Sequence, residues 1–160
     1  MLRPAAPAPA TAAPAARGAP RIVLAFDFGL KRVGAACGDT VSRTAAPLPA
    51  VPNGRTGPRW EIIDAMVREW QPALLVIGLP YNVDGSDSSM TVAARDFADE
   101  VSRRCGLRAV LVDERYSSRE AEARLKAARE TGVRRRRVVR GDVDGAAACV
   151  ILERWFTEAP

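Results

Sequence analysis

The sequence predicts an α/β or α+β domain built on a mixed sheet, and three observations carry that expectation. A continuous apolar run, Ile22-Val23-Leu24-Ala25-Phe26, is followed within a few residues by a second run, Val33 to Asp39, so the chain opens as a β meander. Beyond it, segments with helical spacing alternate with short buried-strand runs, which is the pattern of crossovers in a layered sheet. The 160 residues are length for one domain, and such a chain buries a core without disulfides or a structural metal.

Each element has its own signal. The first strand ends in Asp27, and a tight Phe28–Arg32 turn leads to the second strand, Val33 to Asp39. Thr44 to Val51 reads as a third strand, confined to an edge or a loop by Pro47, Pro49 and Pro52, because proline cannot donate to a ladder. Trp60 to Trp70 is a helix, with Ile62, Ile63, Met66, Val67 and Trp70 on one stripe. Ala73 to Gly78 is the strongest buried strand, and Met90 to Cys105 is helical. Ala109 to Val112 is another buried strand, ending at Asp113-Glu114. Ser117 opens a further helix as the N-cap of a capping box with Glu120, and Ala121, Leu125 and Ala128 form its narrow apolar stripe. Thr131 to Gly141 is a basic loop, Asp142 reads as a turn-former or helix cap, and Val143 to Phe156 is the closing helix.

Composition narrows the chemistry. Histidine is absent, which excludes a Ser-His-Asp triad, a Cys-His pair and every His-based zinc site. Cys37, Cys105 and Cys149 lack metal-ligand spacing and lie among apolar residues, as expected of core thiols in a reducing compartment. Lys and Arg number 24 against 19 Asp and Glu, a formal net charge of +5, which suits a polyanionic partner. No run has the length of a membrane-spanning helix. Residues 1–20, MLRPAAPAPATAAPAARGAP, are Ala/Pro-rich and read as a disordered tail, with an organellar transit peptide as the alternative. The expected division is that tail and one domain over residues 21–157.

Three acidic positions lie where a carboxylate is costly. Asp27 ends one buried strand and Asp113-Glu114 ends another. Asp144 stands three, four and seven residues before Ala147, Ala148 and Ile151, on the stripe that docks on the sheet. A carboxylate there needs neutralising by a cation or a proton. If all three converge, oxygen ligands point to a divalent cation, Mg²⁺ or Mn²⁺. Side-chain alternation sends Asp113 and Glu114 to opposite faces, so one of the two faces a metal and alternation alone leaves both open. Both are candidate catalytic acids, and Glu114 is the one favoured as ligand.

Basic residues cluster near these acids. Lys31 and Arg32 follow Asp27 in a Gly-containing turn, and Arg115 follows Asp113-Glu114. Arg134, Arg135, Arg136 and Arg137, with Arg140 behind them, precede the Asp144 helix, placed to grip a nucleic-acid backbone without sequence preference. The loop Gly78 to Ser86 follows the strongest strand, with Tyr81 available to stack on a base and Asn82 to hydrogen-bond a substrate. An ordered turn held by Asn82 and Asp84 is an equal reading of that loop.

Four segments, AFDFGLKRVGAACGD from Ala25, LLVIGLPYNVDGS from Leu74, LVDERYSS from Leu111 and DGAAACVILERWF from Asp144, together resemble the YqgF/RuvX family. Their order and spacing match that family over nearly everything after the Ala/Pro tail. The resemblance implies an RNase H-like fold, here a mixed five-stranded sheet flanked by helices. It also implies a cytoplasmic nuclease that matures the 5′ end of 16S rRNA. Carried over, Asp27 matches the family's first-strand aspartate, Asp113-Glu114-Arg115 its D-E-R motif, and Asp144 the aspartate of its last helix. Relatives of this fold often carry an acid on the strand that here ends in Gly78-Leu79-Pro80, a departure that implies a displaced or weaker metal site.

The expected mechanism is phosphodiester hydrolysis with two Mg²⁺ or Mn²⁺ ions held by Asp27, Glu114 and Asp144. The expected partner is RNA, a pre-rRNA or pre-ribosomal particle, with structured DNA as the variant substrate. The chain is expected as a monomer or weak homodimer without membrane association. Two rivals are a Holliday-junction resolvase and a non-catalytic RNA-binding assembly factor. An actin-like ATPase, suggested by the D-x-G of Asp27–Gly29, needs two such domains and is set aside on length.

Overall fold

The structure, a computed structural model, describes residues 21–114 and 140–158, with side chains in the second segment described from Gly145 onward. Among the described residues, five strands and three helices follow in the order β1 (Ile22–Phe28), β2 (Arg32–Asp39), β3 (Thr44–Pro52), α1 (Trp60–Trp70), β4 (Leu74–Leu79), α2 (Ser89–Cys105), β5 (Ala109–Asp113) and α3 (Arg140–Glu158). The sheet order is β3-β2-β1-β4-β5. The β1–β2 and β2–β3 pairs are antiparallel, whereas β4 lies parallel to β1 and β5 parallel to β4. This is the mixed sheet that the meander-then-crossover pattern predicts, with the five strands that the resemblance implies.

Both faces of the central strands are covered, which is why β1 and β4 read as unbroken apolar runs instead of alternating ones. On one face Leu24, Phe26, Leu75 and Ile77 pack with Ile63 and Met66 of α1 and Phe97 and Val101 of α2. Phe97 is the hub of that layer, edge-on to Phe26 and stacked on Trp60 at 5.8 Å. On the other face Val23, Ala25, Ala36, Val76 and Val112 lie under Ala148, Ile151, Leu152 and Phe156 of α3.

Helix α3 packs against all five strands, and small residues beneath it permit the close approach. A Cβ at Gly38 would lie 2.7 Å from both Leu152 Cδ2 and the Thr44 carbonyl oxygen. Such distances are not tolerated by real Cβ atoms, so glycine at this position sets the depth to which α3 sinks.

The proline-bearing segment is a full edge strand, paired to β2 from Thr44 to Pro52, with one irregularity in register between Val33 and Ala35. An edge position satisfies proline's missing donor. Two expectations are corrected at the last helix. It begins at Arg140, so the end of the expected basic loop is helical, and Asp142 lies inside the first turn, not ahead of it as a cap. The first turn favours an acid at its sequence position as the cap does, which explains the helix-starting signal of Asp142. The Ala/Pro tail, the helix expected from Ser117 with its Glu120 partner, and Arg115 and Arg134 to Arg137 lie outside the described residues.

Candidate functional site

The candidate site forms where the C-terminal ends of β1, β4 and β5 meet under α3. Asp27 is on β1, paired with Gly34 of β2. Alternation along β1 puts Val23 and Ala25 on the α3 face, as their packing against α3 residues shows, so Asp27 shares that face. The β1–β4 register runs to Phe26 opposite Ile77, and one further step sets Asp27 beside Gly78.

Glu114 follows β5 and extends its ladder, donating its N–H to the Leu79 carbonyl at 3.1 Å. Glu114 is buried, with 8% of the residue exposed. A Cβ placed on Gly78 would lie 2.8 Å from Glu114 Oε2, 2.9 Å from its Cδ and 2.5 Å from Ile151 Cδ1. The carboxylate therefore lies over the bare backbone of β4, on the α3 face, with Asp27 on the neighbouring strand. Asp113 is partly buried, and its place in the alternation is on the opposite face. Its main-chain carbonyl accepts a 2.9 Å hydrogen bond from Arg154 Nη1 of α3.

Asp144 lies in the first part of α3, and its side chain is outside the described residues. Its backbone position is one to two turns ahead of Ala147, Ala148 and Ile151, all of which are buried against the sheet. Among the described residues no three His, Cys, Asp or Glu side chains cluster as a metal set. The described donors are thus Asp27 and Glu114, both hard oxygen ligands of the kind divalent cations take.

The hairpin after Asp27 presents the basic residues. Lys31 is exposed, and Arg32, at the start of β2, falls on the Asp27 face by alternation with Gly34 and Ala36. The hairpin is anchored from the far side of β2. Asn53, just past β3, donates its side-chain amide to the Gly29 carbonyl at 2.7 Å and its main-chain N–H to the Lys31 carbonyl at 2.9 Å.

The loop after β4 is held by its own polar residues. The Asn82 amide donates to Ser86 Oγ at 3.0 Å and to the Asp87 carbonyl at 3.3 Å, and Asp84 accepts from Ser86 N–H at 2.9 Å. A capping box of Ser88 and Thr91 starts α2, and both hydroxyls also donate to the Pro80 carbonyl, at 3.1 and 2.8 Å. The Asn82 amide nitrogen is thus engaged within the loop. The Tyr81 hydroxyl accepts a long 3.5 Å contact from Arg95, which also pairs with Asp87 at 3.0 Å.

Asn53 and Arg154 were not among the residues singled out from sequence. Arg154 was detectable, since it stands three residues after Ile151 and seven after Ala147 on an otherwise apolar stripe. Asn53 has no such signal, because an Asn after Pro52 reads only as a turn residue.

Comparison with known proteins gives a consistent set of likenesses. A family model described as RuvX, Holliday junction resolvase, matches residues 21–158. A protein of Alcanivorax borkumensis, provisionally named a pre-16S rRNA nuclease, is 44% identical over 135 residues, covering 84% of this chain and 95% of its own. A Hahella chejuensis protein of the same name is 45% identical over 137 residues, covering 84% of this chain and 82% of its own. Among solved structures, Thermus thermophilus RuvC in complex with a Holliday junction substrate superposes with a TM-score of 0.53 at 14% identity, over 86% of this chain and 94% of that one. At that identity the likeness concerns the fold.

Proposed function

The chain belongs to the RuvX family and is a nuclease, a hydrolase of phosphodiester bonds, and from that premise we propose a divalent-metal-dependent enzyme that matures the 5′ end of pre-16S rRNA in the cytoplasm. The observation that carries the metal reading is the buried Glu114 carboxylate, seated over Gly78 on the face that Asp27 shares. Two carboxylates on one face at adjacent strand ends offer the hard oxygen donors that divalent cations take. Asp27, Glu114 and, from α3, Asp144 would hold Mg²⁺ or Mn²⁺, which when bound supply nucleophile activation and neutralise charge at the leaving oxygen.

The protein's own groups do the rest. Lys31 and Arg32, on a hairpin fastened by Asn53, hold phosphate oxygens beside the acids. Arg115 and the run Arg134 to Arg137 grip the flanking backbone, and Tyr81 stacks on a base at the rim. Asn82 contributes by shaping the loop that carries Tyr81.

The Holliday-junction reading is kept because the matching family model carries that description. It requires two copies of the site facing a four-way junction, and hence a dimer. The deciding experiment is cleavage of a precursor rRNA fragment and of a DNA four-way junction with Mg²⁺, Mn²⁺ or EDTA. Wild type is run beside Asp27→Asn and Asp144→Asn. Metal-dependent cutting of the RNA, lost in both variants, is the expected result. Preference for the junction moves the function to resolution, and tight RNA binding without cutting leaves an assembly factor.

A further inference from the structure

We propose that Gly78 is a positioning residue of this site, whose missing side chain is the seat of the Glu114 carboxylate. The inference rests on reading Asp27, Glu114 and Asp144 as the cation-holding set.

Strand β4 explains why a glycine here is out of place. Leu75, Val76, Ile77 and Leu79 are all buried, and Val76 lies two residues earlier on the same face. Packing alone favours another branched apolar residue at 78, because a glycine inside a strand weakens it. The space that such a residue would fill is taken by Glu114 Oε2 and Cδ and by Ile151 Cδ1.

The backbone around Glu114 has little freedom to yield. Its N–H is bonded to Leu79, and the carbonyl before it is bonded to Arg154. A methyl group at 78 therefore has two side chains to displace. Ile151 is fully buried within the α3 layer, whereas Glu114 is at the rim with 8% exposure. Displacing Glu114 moves its carboxylate off its seat over Gly78, on the face that Asp27 shares.

The two contacts separate experimentally, since Ile151→Val removes Cδ1 and relieves only the helix contact. Wild type, Glu114→Gln, Ile151→Val, Gly78→Ala and the double variant Gly78→Ala/Ile151→Val are compared by thermal unfolding. Mn²⁺ binding is read from the electron paramagnetic resonance of the free ion, and cleavage of the rRNA fragment is measured in parallel. The double variant is expected to unfold close to Ile151→Val. Its Mn²⁺ affinity is expected to fall by about 10–100-fold, the usual range when a group that orients a metal ligand is changed, with cleavage falling alongside. Mn²⁺ binding in the double variant equal to that of Ile151→Val overturns the proposal for Gly78 while leaving the metal site standing. Equal Mn²⁺ binding by wild type and Glu114→Gln removes the cation reading itself, and the role of Gly78 with it.

Discussion

Arg154 of α3 donates a 2.9 Å hydrogen bond to the main-chain carbonyl of Asp113, the last residue of β5. The bond ties the closing helix to the end of the strand that delivers Glu114, so helix and acid are positioned together. A guanidinium donor makes it stronger than a neutral bond.

Replacing Arg154 by Met keeps most of the apolar stem and removes the donor. The expected loss of stability is about 1.5 kcal/mol, at the low end for a charge-assisted bond because both partners are partly exposed. Cleavage should fall with it, since the Asp113–Glu114 backbone loses its restraint. An unchanged urea midpoint for Arg154→Met would show that the bond contributes nothing.

Asn53→Ala tests the hairpin that carries Lys31 and Arg32. The variant loses the 2.7 Å bond to Gly29 and keeps the main-chain bond to Lys31. A cost of about 1 kcal/mol is expected. The kinetic effect should be a raised KM for RNA with kcat nearly preserved, because the acids are untouched. A fall in kcat at unchanged KM would instead place Asn53 nearer the chemistry.

Gly38→Ala probes the depth of α3 on the sheet. Its new methyl would meet Leu152 and the Thr44 carbonyl at 2.7 Å, so the helix or the edge strand must move. Overpacking of this kind costs about 1–3 kcal/mol. Because Asp144 is on the same helix, metal-supported cleavage should drop as well as the unfolding midpoint. A variant as stable and as active as wild type would mean that α3 shifts freely.

The thiols make a pH-dependent prediction. Burial pushes the Cys37 thiol up, opposed by a main-chain hydrogen bond and aided by the charge of Glu69. Burial raises Cys105 as well, with Asp64 adding to it and Arg104 opposing. A raised folded value means that the folded state keeps its proton longer. The stabilising contribution is complete below the ordinary thiol value, about 8.5, and is lost as pH rises through the folded value. Unfolding free energy should therefore decline above about pH 8.5, less steeply in Cys37→Ala. Iodoacetamide should label Cys37 slowly in the native protein and rapidly in urea. Rapid native labelling would place that thiol outside the core.

Most of the fold was legible because it is written in local periodicity. The runs at β1 and β4 and the stripe of α1 are each a property of a dozen residues or fewer, and the bounds of α1 agree with expectation at both ends. The run at β5, by contrast, forms an edge strand with Leu111 exposed and not the buried strand expected. At Asp142 and the start of α3 the structure differs from expectation for a local reason too. A helix-favouring acid serves in the first turn as well as at the cap. The loop after β4 was ambiguous for a different cause, since Asn82 and Asp84 bond either to substrate or to their own turn, and the structure has them in the turn.

The sequence by itself determined the α/β layering, the alternation of strands and helices, and the four motifs that place the chain in its family. It also marked Asp27, Asp113-Glu114 and Asp144 as acids in costly places. Only the tertiary structure decided which neighbours those acids meet. Alternation requires Asp113 and Glu114 to face opposite ways, but the pairing of β4 with β5 puts Glu114 over Gly78 and under Ile151. The bonds from Arg154 and Asn53 likewise join residues 41 and 24 positions apart. Periodicity reports what one segment buries, whereas a site is made where segments distant in sequence are packed against one another, and that packing is a property of the folded chain.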